Sequence, residues 1–237
     1  SSQEKAELLF YQAYAQLLAA DLYVGLPTEA FGEVKSPDVL LQSAIALLTE
    51  AASLYTAEEE QEACTILLAR CHHRLGNLEE AVRYAQLGIA NPLSLKQVQY
   101  GTENGPSNNF QSAIFSATTN SFAPLPRLDF LDPKYFHQTA TVFEDEKPIA
   151  IAKAEEAYLI LAEAYAAQQN LAASKQVLKA LLNNSVNKRT KIMLDDSKET
   201  RNGGNRKDYP LQAVAVKFDE QGAVKDGLVL DRSKGII

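Results

Sequence analysis

Two stretches of this chain carry the same pattern 93 residues apart. LARCHHRLGNLEEAV runs from Leu68 to Val82 and LAEAYAAQQNLAASK from Leu161 to Lys175. Aligned without gaps, they agree at Leu68 and Leu161, Ala69 and Ala162, Asn77 and Asn170, and Leu78 and Leu171, with small Ala81 and Ser174 matched as well. Each copy reads as helix, turn and helix. In the first, Leu68, Ala69 and His72 share one helix face, Gly76 permits the tight turn, and small Ala81, Ala85 and Gly88 let the return helix pack closely. In the second, Ala162 and Tyr165 take the equivalent face and Gln169-Asn170 forms the turn. A unit of this kind cannot bury its apolar face alone, so a chain that writes it twice is built from packed helix pairs.

The segments around the copies extend this reading. Residues 4–22 repeat apolar positions at three and four, as an amphipathic helix does, and Gly25 and Pro27 end it. Ser36-Pro37-Asp38 opens a second helix with Pro37 in its first turn and an apolar stripe of Val39, Leu40, Ala44, Leu47, Leu48 and Ala51. A third helix over about 58–74 starts on a Glu cluster, which suits the positive end of its dipole. Gly76-Asn77 turns the chain into a fourth, ending near Ala90 before Asn91-Pro92. A fifth at about 149–168 is apolar on nearly all sides and reads as buried, and a sixth covers about 171–184. Between the fourth and fifth, residues 92–148 hold six of the nine prolines and eight aromatics but no sustained helical period. Here VQYGTENGPSNNFQSAIF supplies short strands around a turn-rich tip. In the tail from Asn187, TRNGGNRKD reads as an exposed loop and AVAVKFDEQGAVKDGLVLD as a hairpin. The fold class is mostly α, with helix pairs, a long irregular insertion and a few short strands.

Composition removes several functions. The net charge of −7 argues against nucleic acid, which demands clustered Lys and Arg. Cys64 and Cys71 lie seven apart on one helix, roughly 10 Å along its axis, too far for a disulfide, and read as two buried thiols on one face. Cys71, His72 and His73 do not converge on a metal, since adjacent helical residues point in different directions. PIAIAKAEEAYLILAEAYAA carries Lys153, Glu155, Glu156 and Glu163, which is a core helix and no membrane span. The N-terminus lacks a basic start followed by an apolar run, as a mature form would after removal of a signal.

The repeated unit resembles the tetratricopeptide repeat of about 34 residues, but its copies are separated by the aromatic-rich insertion rather than stacked in series. That arrangement resembles the SusD/RagB family, nutrient-binding outer-membrane lipoproteins of Bacteroidota-type bacteria. AYAQLLAADLYVGLPTEAF looks like the family helix ending in Tyr-Gly-Asp-Val-Pro, with Tyr23 and Pro27 at that spacing and Gly25 displaced by one. QEACTILLARCHHRLGNLEEAVRYAQLGI is similar to the family's long helix, Leu-Gly-Asn turn and Ala-rich return helix. LDPKYF resembles its Asp-Pro-Arg segment, with Lys134 for Arg, and IAIAKAEEAYLILAEAYAAQQNLAASKQVLKALLN is similar to its later helix pair. The resemblance covers roughly 4–184. It implies one SusD-like domain over 1–237, with a helical core at about 4–91 and 149–184, the insertion at 92–148 and an irregular tail at 185–237.

Family members are usually about twice this length, with an N-terminal lipid-bearing Cys and a C-terminal Glu/Arg-rich helix. Neither is visible here, so the chain reads as a trimmed middle portion or a short relative. The resemblance implies a surface-exposed outer-membrane protein that captures a glycan or other nutrient and works with a SusC-like TonB-dependent transporter. It implies no nucleic acid and no membrane contact except through a lipid anchor that this sequence lacks.

Sugars bind through ring faces stacked on aromatics and hydroxyls bonded to amides or carboxylates. With no Trp in the chain, the insertion offers Tyr100, Asn104, Asn108, Asn109, Phe110 and Tyr135 as candidate ligand contacts, unless its aromatics serve to pin the loop to the core. Neither Ser-His-Asp nor HExxH spacing is evident, and Asp195-Asp196 and Glu144-Asp145-Glu146 read as solvated charge, so the chain reads as non-enzymatic, with no cofactor and no metal. The alternative is a tetratricopeptide-type adaptor that binds a protein or peptide in a helical groove.

Overall fold

The computed structural model describes residues 1–100, 149–186 and 188, and the backbone of four short strands at 200–201, 204–205, 217–218 and 224–226. Six α-helices lie among them. Two compact units divide the chain, residues 1–96 with 151–185, and residues 97–150 with 186–237.

The first unit is the helical one. Helix α1 (Ser2–Leu22) starts in a capping box, the Ser1 hydroxyl accepting from the Glu4 amide while Glu4 reaches back to the first residue. Its buried Ala6, Phe10, Ala13 and Leu17 follow a spacing of three and four, which lines one face. Strand β1 (Leu26–Pro27) pairs antiparallel with β2 (Val34–Lys35) in the connection to α2 (Pro37–Leu54). Helix α2 packs against both α1 and α3 (Glu58–Arg74). Its buried arc therefore widens to Leu41, beside Leu40, Ala44, Leu48 and Ala51, while Val39, about 100° round the opposite way, faces water. The expected stripe was one position out of phase at that end, and Leu47 is only half-buried.

Helix α3 is central, touching α2, α4 (Leu78–Gly88) and α5 (Ala154–Ala167). It buries Ala63, Cys64, Ile66, Leu67, Leu68, Ala69 and Cys71. Cys64 and Cys71 are free thiols inside the core, and burial pushes both up to about 12, which keeps them unreactive at neutral pH.

The run read as the start of the fifth helix is a strand. Residues Ile149–Lys153 form β4 and pair with β3 (Leu95–Val98), and only at Ala154 does α5 begin. Ile-Ala-Ile-Ala suits either period, and the available partner strand decides. The Ala154 amide donates to the Ser94 carbonyl at 3.1 Å, so the first free N–H of the helix is satisfied by the partner segment. Helix α6 (Leu171–Leu181) is shorter than expected and runs into a π turn over Leu182–Val186.

The repeated turn closes with the same two backbone bonds in both copies. The Gly76 amide donates to the His73 carbonyl and the Asn77 amide to His72; in the second copy Gln169 donates to Ala166 and Asn170 to Tyr165, all at 2.9–3.0 Å. This pair of bonds closes a helix C-terminus with one residue left-handed, Gly76 at φ 73° and Gln169 at φ 60°. The next residue caps the return helix, Asn77 Oδ1 accepting from the Glu80 amide and Asn170 Oδ1 from the Ala173 amide. Glutamine pays a steric cost there that glycine does not. Gln169→Gly is therefore expected to stabilise the protein by about 1 kcal/mol and Gly76→Ala to destabilise it by a similar amount, in urea unfolding. Small residues set the helix spacing: a Cβ on Gly88 would lie 3.1 Å from both Ala157 Cβ and Ile66 Cγ1.

His72 stacks parallel on Tyr84, centroids 5.3 Å apart, with its Nδ1 buried and unbonded. Burial lowers its pKa below the ordinary histidine value, against the Glu80 carboxylate and with the help of Arg83. The unfolded chain takes up this proton near pH 6.5 while the folded chain resists it, so stability falls as pH drops through about 6.5. The expected signature is a loss of stability between pH 7 and 5 that is smaller in His72→Phe than in the wild type.

Lys96 closes the helical unit. Its side chain, 12% exposed, pairs with Glu60 at the start of α3. The ammonium sits 4.9 Å from the Phe10 ring centroid, 5.9 Å from Tyr11 and 6.0 Å from Tyr55. Phe10 meets both tyrosines edge-on, so α1, the end of α2 and α3 all contribute to one cage.

In the second unit, β5 (Thr200–Arg201) pairs antiparallel with β6 (Gly204–Asn205), inside the stretch expected to be loop. Strands β7 (Lys217–Phe218) and β8 (Val224–Asp226) pair antiparallel with an irregular register, at the expected hairpin.

Candidate functional site

A cleft of about 430 Å³ opens in the helical unit between the end of α1, the last turns of α3 and the middle of α5. Helical spacing supplies its walls. Arg70, His73 and Arg74 stand at i, i+3 and i+4 on α3, and Glu156, Leu159, Ile160 and Glu163 repeat the same period on α5, so each set shares one face. Asp21 enters from the last turn of α1.

Three charge pairs cross between the helices. Arg70 binds Glu156 with two nitrogens, one to each carboxylate oxygen, and its Nη2 also donates to the Ile151 carbonyl at 3.4 Å. The two side chains are 20% and 23% exposed. Burial alone would lower the Arg70 pKa, but the Glu156 bond and charge more than reverse that, so the guanidinium is held in its charged form. Arg74 Nε pairs with Asp21 Oδ1 at 2.6 Å, and His73 Nε2 with Glu163 Oε2 at 3.3 Å. Two guanidinium groups and the His73 imidazole face three carboxylates, and exposed Leu159 adds apolar surface. Planar guanidinium and carboxylate groups beside an aliphatic wall can hydrogen-bond a polyhydroxylated ligand or pair with a charged one.

Of the candidate contacts chosen from sequence, Tyr100 alone is among the described residues. Tyr100 follows β3 and is half-buried. Asn104, Asn108, Asn109, Phe110 and Tyr135 lie outside the described residues, as do Asp195-Asp196 and Glu144-Asp145-Glu146. Cys71, His72 and His73 diverge as expected, Cys71 into the core, His72 onto Tyr84 and His73 into the cleft. Among the described residues no three His, Cys, Asp or Glu side chains form a metal-binding group. Sequence reasoning missed Asp21, Arg70, Arg74, Glu156 and Glu163 as a site. The repeat held a signal, since Arg70 and Glu163 occupy the same repeat position with opposite charges.

No family model matches the chain, and no curated protein does. Among solved structures it is similar to a SusD-like carbohydrate binding protein from Bacteroides vulgatus ATCC 8482, solved at 1.70 Å resolution. The TM-score is 0.51 at 16% identity, over 77% of this chain and 55% of that one. The chain thus spans about half the length of the solved protein it matches, and at this identity the likeness establishes the fold: helix pairs of tetratricopeptide type in a SusD-like arrangement. Among the described residues, no helix is long and apolar enough to cross a membrane.

Proposed function

We propose that the chain is a nutrient-binding protein that captures a carbohydrate at the cell surface and hands it, unaltered, to a SusC-like TonB-dependent transporter. The observation that carries this reading is the fold shared with a SusD-like carbohydrate binding protein; in this chain, two copies of one helix pair flank a long insertion. Tyr100, Asn104, Asn108, Asn109, Phe110 and Tyr135 supply the stacking faces and amides that an oligosaccharide needs, and they belong to the segment between the copies. Attachment to the outer membrane comes through a lipid anchor on the full-length form.

The test is calorimetric titration of the chain with a panel of neutral oligosaccharides, repeated on a folded variant lacking residues 101–148. Saturable binding that disappears with the deletion supports the reading. Unchanged binding moves the sugar to the helical cleft, and no binding to any member of the panel, together with no transporter recovered from detergent-solubilised envelope, counts against it. The second reading, an adaptor for a protein or peptide, is favoured by one observation, the charged cleft itself. Its facing helices present more carboxylates than guanidinium groups, which suits a basic side chain.

A further inference from the structure

The connection between α1 and α2 exposes large apolar side chains at a density found nowhere else among the described residues. Leu22, Tyr23, Val24, Phe31 and Val34 lie within thirteen residues, and all face water, Val24 99% and Phe31 107% exposed. Single exposed apolar residues are ordinary, but five in one short segment mark an interaction surface.

This segment is held in shape. Leu26 pairs with Lys35 and Pro27 with Val34, which fixes both stems of the loop. Gly25 sits so close to β2 that a Cβ there would meet the Lys35 carbonyl oxygen at 2.7 Å. At the tip, the Gly32 amide donates to the Glu29 carbonyl at 3.1 Å. Phe31 itself is left-handed at φ 61°, a conformation costly for an aromatic residue, and the strain is spent on holding its ring outward rather than into the core. A rigid apolar projection has little entropy to lose on docking.

Charge selects the occupant. Lys35 is matched by Glu33 at 3.5 Å and Asp21 by Arg74 at 2.6 Å, while Glu29 has no cationic partner among the described residues. The projection is therefore net negative on a chain of net charge −7. An anionic lipid surface repels it, and so does a second copy presenting the same acidic tip. We propose that this connection is a docking knob for a second protein, whose receiving surface is an apolar socket rimmed by lysine or arginine side chains. This inference goes beyond carbohydrate capture, and the two fail separately, because sugar titrations on the knob variants report the ligand site alone.

The experiment places a benzophenone maleimide on Ala30→Cys, next to Phe31 and with the two native thiols buried. The labelled full chain is illuminated in extracts of its host, and the crosslinked peptide is sequenced by mass spectrometry. The expected result is a single protein joined through an apolar segment flanked by basic residues. Yield should fall at least tenfold when Phe31→Asp or Val24→Asp is added, both at exposed positions that leave thermal unfolding unchanged, and severalfold in 0.5 M salt. A crosslink within the same chain or to a second copy overturns the proposal. So does a partner segment without basic residues, a yield indifferent to the Asp substitutions, the absence of any specific product, or cosedimentation of the chain with phosphatidylglycerol vesicles.

Discussion

Replacing Lys96 with alanine is expected to lower the unfolding free energy by about 3 kcal/mol, read as a shifted urea midpoint at unchanged slope. Removing one partner of a buried ion pair leaves the other charge poorly solvated, at about 3–5 kcal/mol for a fully buried site. Glu60, 29% exposed, recovers part of that cost from water. The cation–π contacts to Phe10, Tyr11 and Tyr55 add a further loss of about 1–2 kcal/mol, since they operate away from solvent. Lys96→Met keeps the aliphatic stem against the rings and should lose less, about 2 kcal/mol. A Lys96→Ala variant within about 0.5 kcal/mol of wild type would mean that the ammonium is solvated and the cage does not grip it.

Arg70→Met is expected to cost about 3 kcal/mol, because Glu156 would keep its position beneath the cleft without its two guanidinium bonds. The informative variant is the double one. Arg70→Met with Glu156→Leu removes both charges and fills similar volume, so most of the stability should return. The coupling free energy from the double-mutant cycle should then be about 2–3 kcal/mol. A double variant as unstable as the single one would assign the loss to packing of the arginine stem. Because the double variant keeps a folded scaffold with a neutral floor, it also asks whether the cleft binds anything through charge.

The helical frame was legible in the sequence where local signals agreed. The third helix, 58–74, was bounded by a Glu cluster and by Gly76-Asn77, and the structure places it at Glu58–Arg74. Pro37 behind Ser36 marked the start of α2 for the same reason. Reading failed where a long-range partner made the choice. Nothing within Ile149–Lys153 says that β3 is waiting for it, and nothing within α2 says that α1 and α3 flank it on two sides. The charged cleft was hidden because its members come from three helices, and each charge looked like ordinary solvated surface on its own helix. The same applies to Lys96, whose cage is assembled from Phe10, Tyr11, Tyr55 and Glu60, residues far apart along the chain. The candidate sugar contacts rested on residue type alone.

The repeated turn has one further consequence. Asn77 closes α3 through its amide and opens α4 through its side chain, and Asn170 does the same between α5 and α6. A single residue thus serves two helices, and no spare link stands between them. Adding or deleting one residue there would rotate the return helix by about 100° and break the end of the outgoing one in the same step. A change of length in these hairpins is therefore costly. The chain between β3 and β4 carries no such constraint, because the bond from Ala154 to Ser94 and the strand pair both lie outside it, so one insertion can be exchanged for another there without retuning the helical core.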